Sequence, residues 1–318
     1  MSILRKRGVE KLRFRIMNRR VTNEDFEYLK GLCLQCLNEN PDIAERLDEI
    51  YKLIQVYFFY ETTDLNAANS LRSILNDSTI TYPTKPTPAF CESRTNVGCI
   101  MVFLKHLNEC AQRREDIKDK DRFNQGHFLE ELCHLVKHGG DSRVHSSVHG
   151  YWILWDIYKS KGLQQYGNII LGRLRSARDH YEVFPMMIEA CPEDWVVRCW
   201  KYFDKSIDYY KKGYEDEKTK FPTNIVYANL IANYIGAVSV LYVTERIPER
   251  SITDEYEKLL DAMKQKGKVA LELSKSLIQG DMGAGALHTV ELVDESVFET
   301  RDVFFSRMLA IWSSLHLV

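Results

Sequence analysis

Nine histidines occur in the chain, and five of them, His127, His134, His138, His145 and His149, fall in one short segment where even scatter would place about 0.65. Imidazole nitrogens bind transition metals, carry protons and polarise substrates, so such a cluster demands a chemical reading. At 100° per residue on a helix, Glu131, His134 and His138 all lie within about 40° of His127. Phe128, Leu129, Leu132, Cys133, Leu135 and Val136 occupy the opposite side. His145, His149, Trp152 and Asp156 repeat the same spacing on a second segment. Between the two stripes, Gly139-Gly140-Asp141-Ser142 stops one helix and offers N-cap residues for the next, which predicts a helical hairpin. An antiparallel pairing would carry His138 towards His145 and His134 towards His149. Because Val144, Val148, Tyr151, Ile153, Leu154, Trp155 and Ile157 fill the other faces of the second helix, it is expected to be buried.

Imidazoles at i and i+4 stand about 5 to 6 Å apart at Cβ and can share one ion. His134, His138, His145 and His149 are therefore the expected metal ligands, with Glu131 as a further ligand or a base. Nitrogen donors of this kind suit zinc or iron rather than magnesium or calcium. His134 is followed by Leu135, so the base of an HExxH metalloprotease is not in its place. On the helix expected over 163–184, Arg173, Ala177, His180 and Phe184 share one stripe, which makes Arg173 a candidate anion clamp and His180 a candidate proton carrier. The expected function is that of a metal-dependent hydrolase or oxidoreductase acting on a small molecule, with Glu131, Arg173 and His180 as its catalytic residues.

Arg143 with His149, and Arg175 with His180, form a second pattern on expected helices. This spacing resembles the Arg-x4-6-His element of HEPN-type helical ribonucleases. The resemblance implies RNA cleavage in which the imidazole moves the 2′-hydroxyl proton while the guanidinium steadies the phosphate. A third reading is a non-enzymatic interaction module working through the basic residues Arg5, Lys6, Arg7, Lys11, Arg13, Arg15, Arg19 and Arg20, which would also be the route to nucleic acid.

The elements that must position these groups are read as helices, because apolar spacings of three and four dominate, as in Phe26, Leu29, Cys33, Cys36 and Leu37. The fold class expected is all-α, a multi-helix bundle. A helical N-terminal subdomain over 1–77 would be joined by an extended Pro/Thr-rich connector over 78–89 to a larger bundle over 90–318 holding the histidine hairpin. Short strand patterns are confined to 13–17 and 78–82. The uncharged run 221–244 is long enough to cross a bilayer. Asn224, Asn229 and Asn233 interrupt it, which points to a buried core helix and not to a membrane span. A net charge of -2 gives no global field towards nucleic acid or anionic lipid. Eight dispersed cysteines, with a lone Cys33-x-x-Cys36 read as buried thiols, lack disulfide-scaffold density. Together with a start that lacks an apolar secretion segment, they point to the cytoplasm.

Overall fold

The computed structural model describes residues 11–62, 64, 87–94, 96–112, 120–138, 149–190, 228, 229, 232, 235, 236, 298 and 300–314. The chain divides into two compact units, one of Met1–Ser142 with Met186–Trp195, the other of Arg143–Pro185 with Val196–Val318.

The first unit is built on a sheet, which corrects the all-α expectation: helix makes up 70% of the described residues, but four strands pair in the order β1-β2-β4-β3. β1 (Leu12–Ile16) runs parallel to β2 (Leu53–Phe59), β2 parallel to β4 (Val97–Phe103), and β3 (Ala89–Arg94) antiparallel to β4. The sheet takes two strands from before residue 78 and two from after it, so residues 1–77 are not a purely helical subdomain. Most of the connector 78–89 and the strand pattern at 78–82 lie outside the described residues.

The misreading has a physical source. Parallel strands are covered on both faces, so β2 (LIQVYFF), broken by Gln55 alone, and β4 (VGCIMVF) are apolar runs without alternation. Such runs carry no period that separates a strand from a buried helix. Register places Ile54, Val56 and Phe58 beside Gly98, Ile100 and Val102 on one face. The other face gathers Tyr57, Phe59, Cys99, Met101 and Phe103 into a buried cluster with Met17, Phe90 and Val97. At the β3–β4 turn, Asn96 takes a φ of 66°, which its short polar side chain tolerates. Its carbonyl accepts the Lys52 and Leu53 N–H groups at 2.8 and 3.3 Å.

Between β1 and β2 the chain forms α1 (Asn23–Glu39) and α2 (Pro41–Ile50). Thr22 starts α1 with a capping box: its hydroxyl accepts the Asp25 N–H, while the Asp25 carboxylate accepts the Thr22 N–H. Pro41 starts α2 at a position where no N–H is needed. After β4, α3 (Leu104–Gln112) follows directly, and then α4 (Lys120–His138), which packs on β3, β4, α1 and α2. Gly98 permits that approach: a Cβ there would sit 3.1 Å from Leu135 Cδ1. Tyr51 fixes the same contact by donating to the Leu135 carbonyl at 2.8 Å.

The second unit is helical in its described residues. α5 (His149–Ser160) and α6 (Gln164–Ala190, of which the residues up to Pro185 belong here) are joined at Gly162, whose φ of +69° closes α5. Leu163 N–H reaches Tyr158 O at 2.8 Å and Gly162 N–H reaches Lys159 O at 3.1 Å, the two bonds of a Schellman cap. α7 (Arg301–Ser314) packs on α5, with Trp312 Nε1 donating to Tyr158 Oη at 2.9 Å and Phe305 meeting Tyr151 edge-on. Of the uncharged run 221–244, residues 228, 229, 232, 235 and 236 are described; all are helical and buried. No helix among the described residues is long and apolar enough to cross a membrane.

Candidate metal centre

The chemistry-bearing part of the first unit is α4. Its apolar side is the one the sequence marks, with Phe128, Leu129, Leu132, Cys133 and Leu135 all buried. Asn124 and Gln125 are buried as well, so the first half of the helix is enclosed on more than one side. The histidine stripe is not a uniform polar face. His127 packs its ring edge-on against Phe123 at 4.9 Å, joining the small core of Phe123, Ala111 and Cys110.

His134 is half-buried and stands 4.0 Å from a carboxylate, His134 Nε2 to Glu130 Oε1. The side chains expose 13% and 24% of their area, so the pair is sheltered without being sealed. Glu130, four residues before His134, is therefore the carboxylate paired with the imidazole. The sequence pattern points to Glu131, three residues before, as a ligand or base. A helical side chain leans towards the N-terminus and over the turn behind it, so the i−4 neighbour is the natural partner. That signal was present in the sequence. Glu131 itself is half-buried on the same helix.

His138 is the last residue of α4 and His149 the first of α5, and the side chains of both lie outside the described residues, as does the whole of His145. The Gly-Gly turn and Arg143 fall there too. α5 departs from expectation at its described positions. Leu154 and Tyr158 are buried, but Trp152 and Asp156, the two described members of its stripe, are exposed. That helix is thus amphipathic and not enclosed all round.

On α6, Arg173 donates from Nη1 to the Asn229 side-chain oxygen, and Asn229 is buried. His180 is half-buried and stacks on Phe184 at 4.3 Å, one turn on. The neighbouring Arg178 is buried and reaches Glu182 at 2.7 Å. Arg175 lies beside Tyr151, whose hydroxyl burial pushes up while that guanidinium pulls it down. Arg175 and His180 are five residues apart on this helix, about 140° around its axis.

Among the described residues of the first unit, Glu130 and His134 of α4 are side chains whose type and setting could hold a metal ion. On α4, one carboxylate oxygen and one imidazole nitrogen form a mixed N/O donor pair of the kind transition-metal ions accept. The chain matches no family model, no curated protein and no solved structure.

Proposed function

We propose that the protein is a metal-dependent enzyme, a hydrolase or oxidoreductase acting on a small molecule, in which Glu130 and His134 supply two ligands to one zinc or iron ion. The observation that carries this reading is the Glu130–His134 pair, 4.0 Å between donor atoms on one half-buried helix face. Metal–donor bonds of about 2.0 to 2.2 Å set donors on one ion roughly 3 to 4.3 Å apart, so small side-chain rotations suffice to bind. Two ligands on a rigid helix leave coordination positions for other donors and for water. An ion held there would lower the pKa of its bound water or bind an oxidant, and Glu131, on the same helix, is at hand as a base.

The test is elemental analysis of protein purified without a histidine tag. About one zinc or iron per chain is expected for the unaltered protein, falling to about a tenth or less in E130Q/H134A with the far-UV spectrum unchanged. Metal well below one equivalent in the unaltered protein, and unmoved by E130Q/H134A, ends the proposal.

A further inference from the structure

Three parallel strands deliver their carboxyl ends to one edge of the sheet, and the segments that follow them are tied together there. Met17 N–H donates to Phe58 O and Lys105 N–H to Tyr60 O, both at 2.9 Å. Arg20 Nη2 lies 2.7 Å from Glu61 Oε1 and 2.9 Å from Asp64 Oδ1, Lys105 Nζ lies 3.0 Å from Glu61 Oε2, and the Arg20 guanidinium covers the Tyr60 ring at 4.4 Å. This network anchors the residue that follows Glu61, which is Thr62.

Thr62 meets His106 of α3. His106 is 7% exposed. Its Nε2 stands 3.5 Å from the Thr62 backbone N–H and 3.4 Å from Thr62 Oγ1. Its Nδ1 stands 3.6 Å from Glu109 Oε2, one turn along the helix, and makes no hydrogen bond. A backbone N–H can only donate, so Nε2 is the acceptor nitrogen and the ring proton sits on Nδ1, facing the carboxylate. The single Nε2 lone pair is shared between the Thr62 N–H and Oγ1, and turning it to the hydroxyl alone is what proton transfer from Thr62 requires. A histidine with a purely structural role is normally satisfied at both nitrogens when buried. Here one is left facing a partner just beyond bonding distance, as catalytic groups often are before substrate draws them together.

We infer that Thr62, His106 and Glu109 form a hydroxyl–imidazole–carboxylate relay, a second site distinct in chemistry from the metal pair, that hydrolyses small carboxylic esters. Thr62 Oγ bonds to the ester carbonyl carbon as its proton passes to His106 Nε2. The carbon–alkoxy bond then breaks, and the leaving oxygen takes that proton and departs as the alcohol. Water adds to the acyl-threonine and gives a proton to Nε2. The bond to Thr62 Oγ breaks, Oγ recovers the proton, and the carboxylic acid leaves. Nothing is oxidised or reduced. Glu109 is a positioning residue that steadies the imidazolium.

The full chain is treated with a fluorophosphonate probe in EDTA, and the product is mapped by peptide mass spectrometry. The relay predicts an Oγ–phosphorus bond at Thr62 with loss of fluoride. T62S should keep the label, T62A should lose it, and H106A or H106Q should slow it by about 100-fold or more. With a p-nitrophenyl ester, E109Q should lower kcat and leave KM in place. Thr62 unlabelled in the folded, unaltered protein overturns the inference. So does labelling undiminished in both His106 variants, or labelling that EDTA abolishes, which would assign the activity to the metal centre.

Discussion

Cys33 and Cys36 sit one turn apart in α1 with their thiols in the core, 3% and 2% exposed. Burial disfavours the thiolate, and each residue is pushed up for that reason first, Cys36 to about 12. Asn40 and the Gln125 carbonyl lie against the Cys36 sulfur at 4.0 and 3.8 Å, so the group is packed and not poised. At pH 8 a thiol with such a value is ionised in about one molecule in 10,000. Iodoacetamide applied to the native protein at pH 8 should therefore leave Cys33 and Cys36 unmodified and modify Cys91 and Cys110, which are half-buried. All four should react in urea. Modification of Cys36 in the native state at the rate of Cys110 would show that α1 is not packed as described. The sequence made these thiols legible because they recur at the helical spacing of an apolar face. It made His134 legible for the same kind of reason, by spacing alone. The Glu130 carboxylate beside His134 was less legible, because a helical wheel records angle and not the lean of side chains along the axis.

Among elements, the pair α5 and α6 shows what a glycine decides. A Cβ at Gly167 would lie 2.7 Å from Tyr158 Cβ and 2.8 Å from its Cγ. Those atoms are fixed close to the α5 backbone and cannot swing aside. A Cβ at Gly172, on the same helix, would meet nothing within 4 Å. G167A should therefore cost about 1 to 3 kcal/mol as the helices are forced apart. G172A should gain about 0.5 to 1 kcal/mol by restricting the unfolded chain. Urea midpoints measured by far-UV circular dichroism check both, and equal shifts of one sign would contradict the close contact.

The helices were readable from apolar spacings of three and four, as in α1 with Leu29, Cys33, Cys36 and Leu37, and the structure adds local punctuation to three of them. Thr22 and Asp25 cap α1, Pro41 opens α2, and Gly162 closes α5. β1 was readable as a short apolar–charged alternation, LRFRI. β2 and β4 were not, since their evidence is non-local. Only pairing with each other, under α4, makes such an apolar run a strand, and the aromatic and β-branched content of LIQVYFF was the one local hint. The fold class failed at that point, whereas the placement of α4 and its buried face did not.

Across the whole molecule, both units bury weak acids in the neutral form, and this sets how stability varies with pH. In the first unit Cys33, Cys36 and Tyr57 are pushed up chiefly by burial, and in the second Tyr151 and Tyr158 are, Tyr158 to about 12. In the unfolded chain these thiols and phenols ionise near 9.0 and 10.0. Between those values and their folded ones, the unfolded state has released protons that the folded state still holds. Stability therefore falls as pH rises through this window. The Lys105 ammonium, raised by its bond to Glu61, acts in the same direction. On the acid side the sign reverses. Glu61 is held below its ordinary value by Lys105 and Arg20, so its contribution is present above about pH 4.5 and is lost as pH falls. The urea midpoint should be level from about pH 5 to 9 and decline steadily towards pH 12. Y158F tests one contributor directly. Below pH 9 it should destabilise by about 1 to 3 kcal/mol, because the buried Trp312 Nε1–H loses its acceptor. The alkaline decline should also be shallower in Y158F, since one ionisation is gone. A midpoint that stays flat to pH 11, or a Y158F slope equal to that of the unaltered protein, would mean that these hydroxyls and thiols reach water in the native state and that the two cores are not closed around them.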